Sequence, residues 1–142
     1  MTSQASGQAT GPELSAITVS MVKLHRRYYG KGPTEAKTYA INDTILCMLH
    51  GGFTTVERTL MADGKREDVE RIRRSFQDTM RERFIEVIEG TLVRHVIGYM
   101  SQIHADPDVA IELFLLEPHG EKLLGEHELH LPADEEEGGD DL

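Results

Sequence analysis

A chain of 142 residues, 39% hydrophobic and 28% charged, has the composition of one globular domain with one core. Its formal net charge of −10 makes nucleic acid a poor partner. The longest apolar run, residues 45–49, is too short to cross a bilayer, and the one cysteine, Cys47, excludes an internal disulfide or a cysteine-rich zinc site.

Residues 1–11 are small and polar and are expected to be disordered. They lack the basic start and apolar stretch of a signal peptide, so a cytoplasmic location is expected. Pro12 and Glu13 suit a first helical turn. Leu14, Ile17, Met21, Leu24 and Tyr28 then recur at steps of three and four, which predicts a helix of about 16 residues. Gly30-Lys31-Gly32-Pro33 invites comparison with a phosphate loop. However, it follows a helix, whose negative pole repels phosphate, and Pro33 offers no N–H. Gly30 with Pro33 behind it reads as a helix stop.

Residues 37–41 and 44–49 predict two strands around an Asn42-Asp43 turn. Tyr39, Ile41, Ile45, Cys47 and Leu49 are expected on one face, with Leu46 and Met48 on the other. A strand apolar on both sides implies a central position or a contact between subunits. Cys47 reads as a buried small hydrophobe rather than a reactive thiol. Gly51-Gly52 ends the strand, and Thr54-Thr55-Val56-Glu57 forms a capping box for a short helix that stops near Asp63-Gly64.

A long helix follows, from about Arg66 to Glu89, with Val69, Ile72, Phe76, Met80, Phe84 and Val87 as its apolar stripe and Gly90 as its stop. Residues 92–103 are β-rich, with Gly98 as a bulge candidate. Asp106-Pro107-Asp108 is a turn, and residues 109–117 form the most apolar strand. The expected fold class is α+β, a two-layer α-β-β-α-α-β-β domain over residues 12–118 with one antiparallel sheet of two hairpins packed on helices. Residues 132–142 hold six of the ten net negative charges, and residues 119–142 read as a largely disordered acidic tail.

No coherent catalytic constellation emerges. None of the seven histidines forms a His-Glu-x-x-His pair, and His127-Glu128-Leu129-His130 has the wrong spacing, so no metal site and no cofactor are expected. Glu57 is explained by its cap, yet with His104, Asp106 and Asp108 it remains a candidate polar cluster that could hold a cation or polarise a ligand. Lys31, Lys37 and Arg73 are candidate anion-binding residues. Leu46 and Met48 are the candidates for self-association.

Several segments in order carry a resemblance. A helix is followed by Tyr29-Gly30-Lys31-Gly32-Pro33, then Asn42-Asp43 with an apolar strand, then Gly52-Phe53-Thr54-Thr55-Val56-Glu57-Arg58-Thr59-Leu60. Ile72-Arg73-Arg74-Ser75-Phe76-Gln77, His104-Ala105-Asp106-Pro107-Asp108 and Phe114-Leu115-Leu116 complete the set. Over about residues 13–117 the chain resembles the MpsC-like domain family. Phe53-Thr54 stands where Phe-Leu-Thr or Leu-Thr is expected, a departure that leaves the helix cap intact. The family is named for a sodium-translocating, membrane-potential-generating system, and related systems are linked to inorganic-carbon uptake. The resemblance implies an accessory or regulatory role near a membrane transport complex and supplies no catalytic residues.

Three functional readings follow. The first is a non-enzymatic accessory or regulatory domain that self-associates as a homodimer or higher homo-oligomer and binds a protein partner, a membrane transporter or its regulator. The second is an anion or small-molecule sensor built on Lys31, Lys37 and Arg73. The third is an uncharacterised enzyme in which Glu57, His104 or Asp106 converge on an apolar pocket.

Overall fold

A computed structural model describes residues 8–118. The N-terminal residues 1–7, the acidic tail 119–142 and His119, His127 and His130 lie outside the described residues. The elements are α1 (Gly11–Tyr29), β1 (Glu35–Ile41), β2 (Thr44–His50), α2 (Thr55–Ala62), α3 (Arg66–Leu92), β3 (Val96–His104) and β4 (Val109–Leu116). The four strands form one antiparallel sheet in the order β1-β2-β4-β3. The expected α+β arrangement of two hairpins holds, and the hairpins join through their second strands, β2 and β4.

Thr10 caps α1: its hydroxyl accepts from the Glu13 N–H, and the Glu13 carboxylate accepts from the Thr10 N–H. The helix ends at Gly30, which adopts the left-handed conformation (φ 90°), so the Gly-Lys-Gly-Pro segment is a helix stop. The inward stripe of α1 is Ile17, Met21 and His25. Tyr28, expected in that stripe, is exposed, and it is Tyr29 that turns inward to the Phe76 ring.

The expected faces of the first hairpin need correction. The two-residue turn pairs Tyr39 with Leu46 and Ile41 with Thr44. Residues directly opposite share a face, so Tyr39 and Ile41 lie with Leu46 and Met48, not with Ile45, Cys47 and Leu49. The core side of β1 is Thr38 and Ala40, and Thr38 meets the Thr18 hydroxyl of α1 at 2.7 Å.

Two expectations for α3 are also corrected. Gly90 does not end it. The helix runs on to Leu92, and Val93 takes the left-handed position (φ 55°). A glycine costs a helix only about 1 kcal/mol relative to alanine, which the continuing contacts of Leu92 and Val96 with the core offset. The buried positions are Val69, Arg73, Gln77, Met80, Phe84, Ile88 and Leu92, so Arg73 and Gln77 occupy core-facing positions while Ile72 is half-exposed. In β3 the register slips between Val96 and Gly98, one residue before the expected bulge position.

The helices cover one side of the sheet, α1 against β1 and α3 against β3. Ile17 and Met21 of α1, Met80, Phe84 and Ile88 of α3, and Ile45, Cys47 and Phe114 of the sheet form the core between them. Among the described residues, no helix lies on the opposite face of the sheet.

Candidate functional site

Three groups of residues stand out: a buried ion pair under α2, a buried acid in β4, and the uncovered sheet face.

The ion pair grows from a local motif. Thr54 caps α2, and Glu57, three residues on, closes the capping box. The same carboxylate also faces α3. Glu57 Oε2 accepts from Arg73 Nε at 2.6 Å and from the Tyr29 hydroxyl, while Oε1 accepts from Arg73 Nη2 at 2.8 Å. Glu57 is 2% exposed and Arg73 5%. The guanidinium lies over the rings of Tyr29, 4.1 Å from the centroid, and Phe53 at 5.1 Å. Burial pushes the Glu57 carboxyl up, but hydrogen bonds from Arg73, Tyr29 and the Thr54 backbone outweigh it and hold the group below the usual carboxylate range. Burial and the Glu57 hydrogen bond likewise push the Tyr29 hydroxyl well above its ordinary value.

Around this pair, three consecutive backbone carbonyls each receive a basic side chain. Lys31 Nζ donates to Gly51 O at 2.9 Å, Arg73 Nη2 to Gly52 O at 2.8 Å, and Arg58 Nη1 to Phe53 O at 2.8 Å. The Asp108 carboxylate accepts from the Phe53 N–H at 3.1 Å, and the Asp108 carbonyl accepts from the Gly51 N–H at 3.0 Å. Gly51 is required here: its φ is 71°, and a Cβ would stand 2.2 Å from Thr34 Oγ1. The loop 51–53 is therefore stapled to α2, to α3, to the segment that follows α1 and to the turn that precedes β4.

The structure thus brings Lys31, Arg73, Glu57 and Asp108 to one place and leaves three other expected residues out. Lys37 is on the uncovered sheet face, its ammonium 5.3 Å from the Tyr39 ring. His104 is exposed and its Nδ1 lies 3.0 Å from the Pro107 carbonyl. Asp106 is in the neighbouring turn before Pro107. The cavity that Lys31, Arg73 and Asp108 share with His25 and Phe53 has a volume of about 10 Å³, room for about one water molecule. Among the described residues no three His, Cys, Asp or Glu side chains are placed to hold a metal ion.

The sequence reading passed over the second acid. Glu112 is 1% exposed at the centre of β4, beside Cys47 of β2 and Ser101 of β3. Its Oε1 accepts from the Tyr99 hydroxyl at 2.5 Å, and His25 Nε2 stands 3.9 Å from Oε2. Burial pushes its carboxyl up to about 7, against smaller downward pulls from Tyr99, Ser101 and Arg73. The signals were present: Glu112 takes an inward position in an otherwise apolar strand, and His25 falls one turn after Met21 in the apolar stripe of α1.

The uncovered face is read off the register. Tyr39, Leu46, Leu113 and Met100 form one row across all four strands. Lys37, Met48, Ile111 and Gln102 form the next, and Ile41, Thr44, Leu115 and Gly98 a third. Tyr39 is 38% exposed, Met100 54% and Ile41 63%. Leu46, Met48, Ile111, Leu113 and Leu115 are half-buried by one another.

Comparison with known proteins bears on this arrangement. The model of the MpsC family, described as a Na+-translocating membrane potential-generating system (MpsC), matches residues 13–118. No curated protein and no solved structure matches the chain. Among the described residues no helix is long and apolar enough to cross a membrane. The chain belongs to the MpsC family.

Proposed function

We propose that this MpsC-family domain is a non-catalytic accessory subunit that associates with a second copy of itself through the uncovered sheet face and serves a membrane cation-transport system by binding a protein partner. The observation that carries the reading is the set of apolar rows through Leu46, Met48, Ile111 and Leu113. The chain has a formal charge of −10, yet the outward positions of β2 and β4 hold no Asp, Glu, Lys or Arg. The two central strands of this face are uncharged, so two copies of an acidic protein can meet across them without facing like charges. Four strands about 4.8 Å apart and seven residues at about 3.3 Å each make it about 19 by 23 Å. That is about 440 Å² in projection, before side-chain relief, and approaches the roughly 600 Å² per partner at the lower end of specific interfaces. The family membership supports the link to a cation-transport system.

Light scattering at micromolar concentration tests the self-association. The full chain is expected to run as a dimer, and Leu46→Lys with Leu113→Lys as a folded monomer. A monomeric full chain overturns the reading. So does a chain ending at residue 118 that dimerises when the full chain does not, because the tail would then occupy the face. Partner binding is a separate matter: capture from the native cell should enrich a transporter or its regulator, and its absence removes that half of the proposal.

A further inference from the structure

Glu112 lacks what Glu57 has. Its Oε2 has no hydrogen-bond partner within 3.5 Å, and the buried Ser101 hydroxyl, directly across the β3–β4 register, makes none within that distance, although it is near enough to pull the carboxyl down. Among the described residues, the one basic atom within 4.0 Å of Oε2 is His25 Nε2, at 3.9 Å. That imidazole is fixed by its other side: Nδ1 donates to the Met21 carbonyl at 2.8 Å, and the ring stacks on Phe84 at 5.2 Å. With the proton on Nδ1, Nε2 carries the lone pair, and it stands 3.9 Å from Oε2, beyond hydrogen-bond reach.

We propose that Glu112, with His25, Tyr99 and Ser101 around it, forms a proton-binding site inside the core, its carboxyl holding a proton beside His25 Nε2 and releasing it to water as the pH rises. Every element packed against the acid contributes a group. His25 comes from α1 and Arg73 from α3; Tyr99 and Ser101 come from β3, and the Cys47 thiol from β2. Arg73 is the one charged group among them. Its charge favours the carboxylate, but its hydrogen bonds go to Glu57 and Gly52. Burial also lowers the His25 imidazole, with Arg73 acting in the same direction against the Met21 hydrogen bond. Both partners are therefore driven toward neutrality, so the proton resides on Glu112. Ionising it leaves a buried carboxylate against α1 without a matched cation. Proton release consequently weakens the hold of α1 on the sheet. Because β4 alternates, Glu112 also lies between Ile111 and Leu113 of the uncovered face, which places the proton site directly behind that face.

The sign follows from the shift. A carboxyl whose folded value lies above its unfolded one stabilises the fold fully below the unfolded value and loses that contribution as pH rises through the folded one. With a folded value of about 7 against 4.5, the unfolding constant of the wild-type chain relative to that of Glu112→Gln should rise about 30-fold between pH 5.5 and 8.5. The amide copies the shape and neutrality of the acid form. Two measurements decide the matter. In carbon-detected NMR of the wild-type chain, assigned from its backbone, the Glu112 carboxyl should titrate near pH 7. Denaturant unfolding of wild type and Glu112→Gln across that range should show the widening ratio, and amide exchange in α1, corrected for intrinsic rates, should accelerate with pH in wild type alone. A Glu112 midpoint below 5, or the same pH slope in both chains, overturns the proposal. The NMR arm stands even if the variant fails to fold.

Discussion

Glu57 and Glu112 are buried to the same extent, 2% and 1% exposed, and their carboxyls are shifted in opposite directions. Around Glu57 the chain supplies Arg73, the Tyr29 hydroxyl, and the Thr54 N–H and hydroxyl. Around Glu112 it supplies one hydroxyl for one oxygen and a histidine 3.9 Å from the other. Burial raises both carboxyls; only at Glu57 do the hydrogen bonds and the guanidinium overcome it. Burial depth alone does not set a carboxyl's charge, then. The donors within hydrogen-bond distance do, and the two sites suit different tasks. One fastens a loop at every ordinary pH, and the other changes state within the neutral range.

The largest expected effect comes from turning the first site into a harsher version of the second. Arg73→Met leaves Glu57 buried without its cation and frees the Gly52 carbonyl, so denaturant unfolding should show a loss of about 3–5 kcal/mol. A loss under 1 kcal/mol would mean that the ion pair is not what holds α3 to α2.

Next come the two amide substitutions, which should slope in opposite directions with pH. Glu57 lies below its unfolded value, so its contribution is present above pH 4.5 and disappears as pH falls through its folded value. Glu57→Gln should therefore destabilise at pH 7 and converge on wild type in acid. Glu112→Gln should match wild type at pH 4–5 and exceed it by about 3 kcal/mol above pH 8. Melting curves of both variants at four pH values check this, and parallel slopes would erase the distinction between the two sites.

The smallest effect lies away from both acids. Val93 is a β-branched residue in the left-handed region at 87% exposure, a conformation that costs a non-glycine residue about 1–2 kcal/mol. Val93→Gly should stabilise by about 1 kcal/mol and leave the pH slopes of both acids unchanged. A destabilised variant would show that the Val93 side chain contributes more than its backbone costs.

Local chemistry carried most of what the sequence reading recovered. The capping box at Thr54 and Glu57, the stop at Gly30, the Asn42-Asp43 turn and the order of elements all depend on residues within four positions of one another. What escaped depends on distance along the chain. Glu57 accounts for itself as a cap, and nothing local reveals that residue 73 completes it. Arg73 lies among charged residues on α3, and only packing against Tyr29 and Phe53 turns it inward. The faces of β1 were reversed because a strand assigned by composition has no parity until its turn fixes the register. Leu46 and Met48, by contrast, were legible as a second apolar side of β2, since alternation within one strand is itself local.

Cys47 gives the molecule a built-in clock. Its thiol is buried 9 residues from the hydroxyl that touches it, Thr38, and burial pushes it up to about 12. A thiol-specific reagent can reach it only when the layer between helices and sheet opens. Because Cys47 is the single cysteine and sits next to Glu112 across the β2–β4 register, its labelling rate counts openings of the core at the place where the proton would leave.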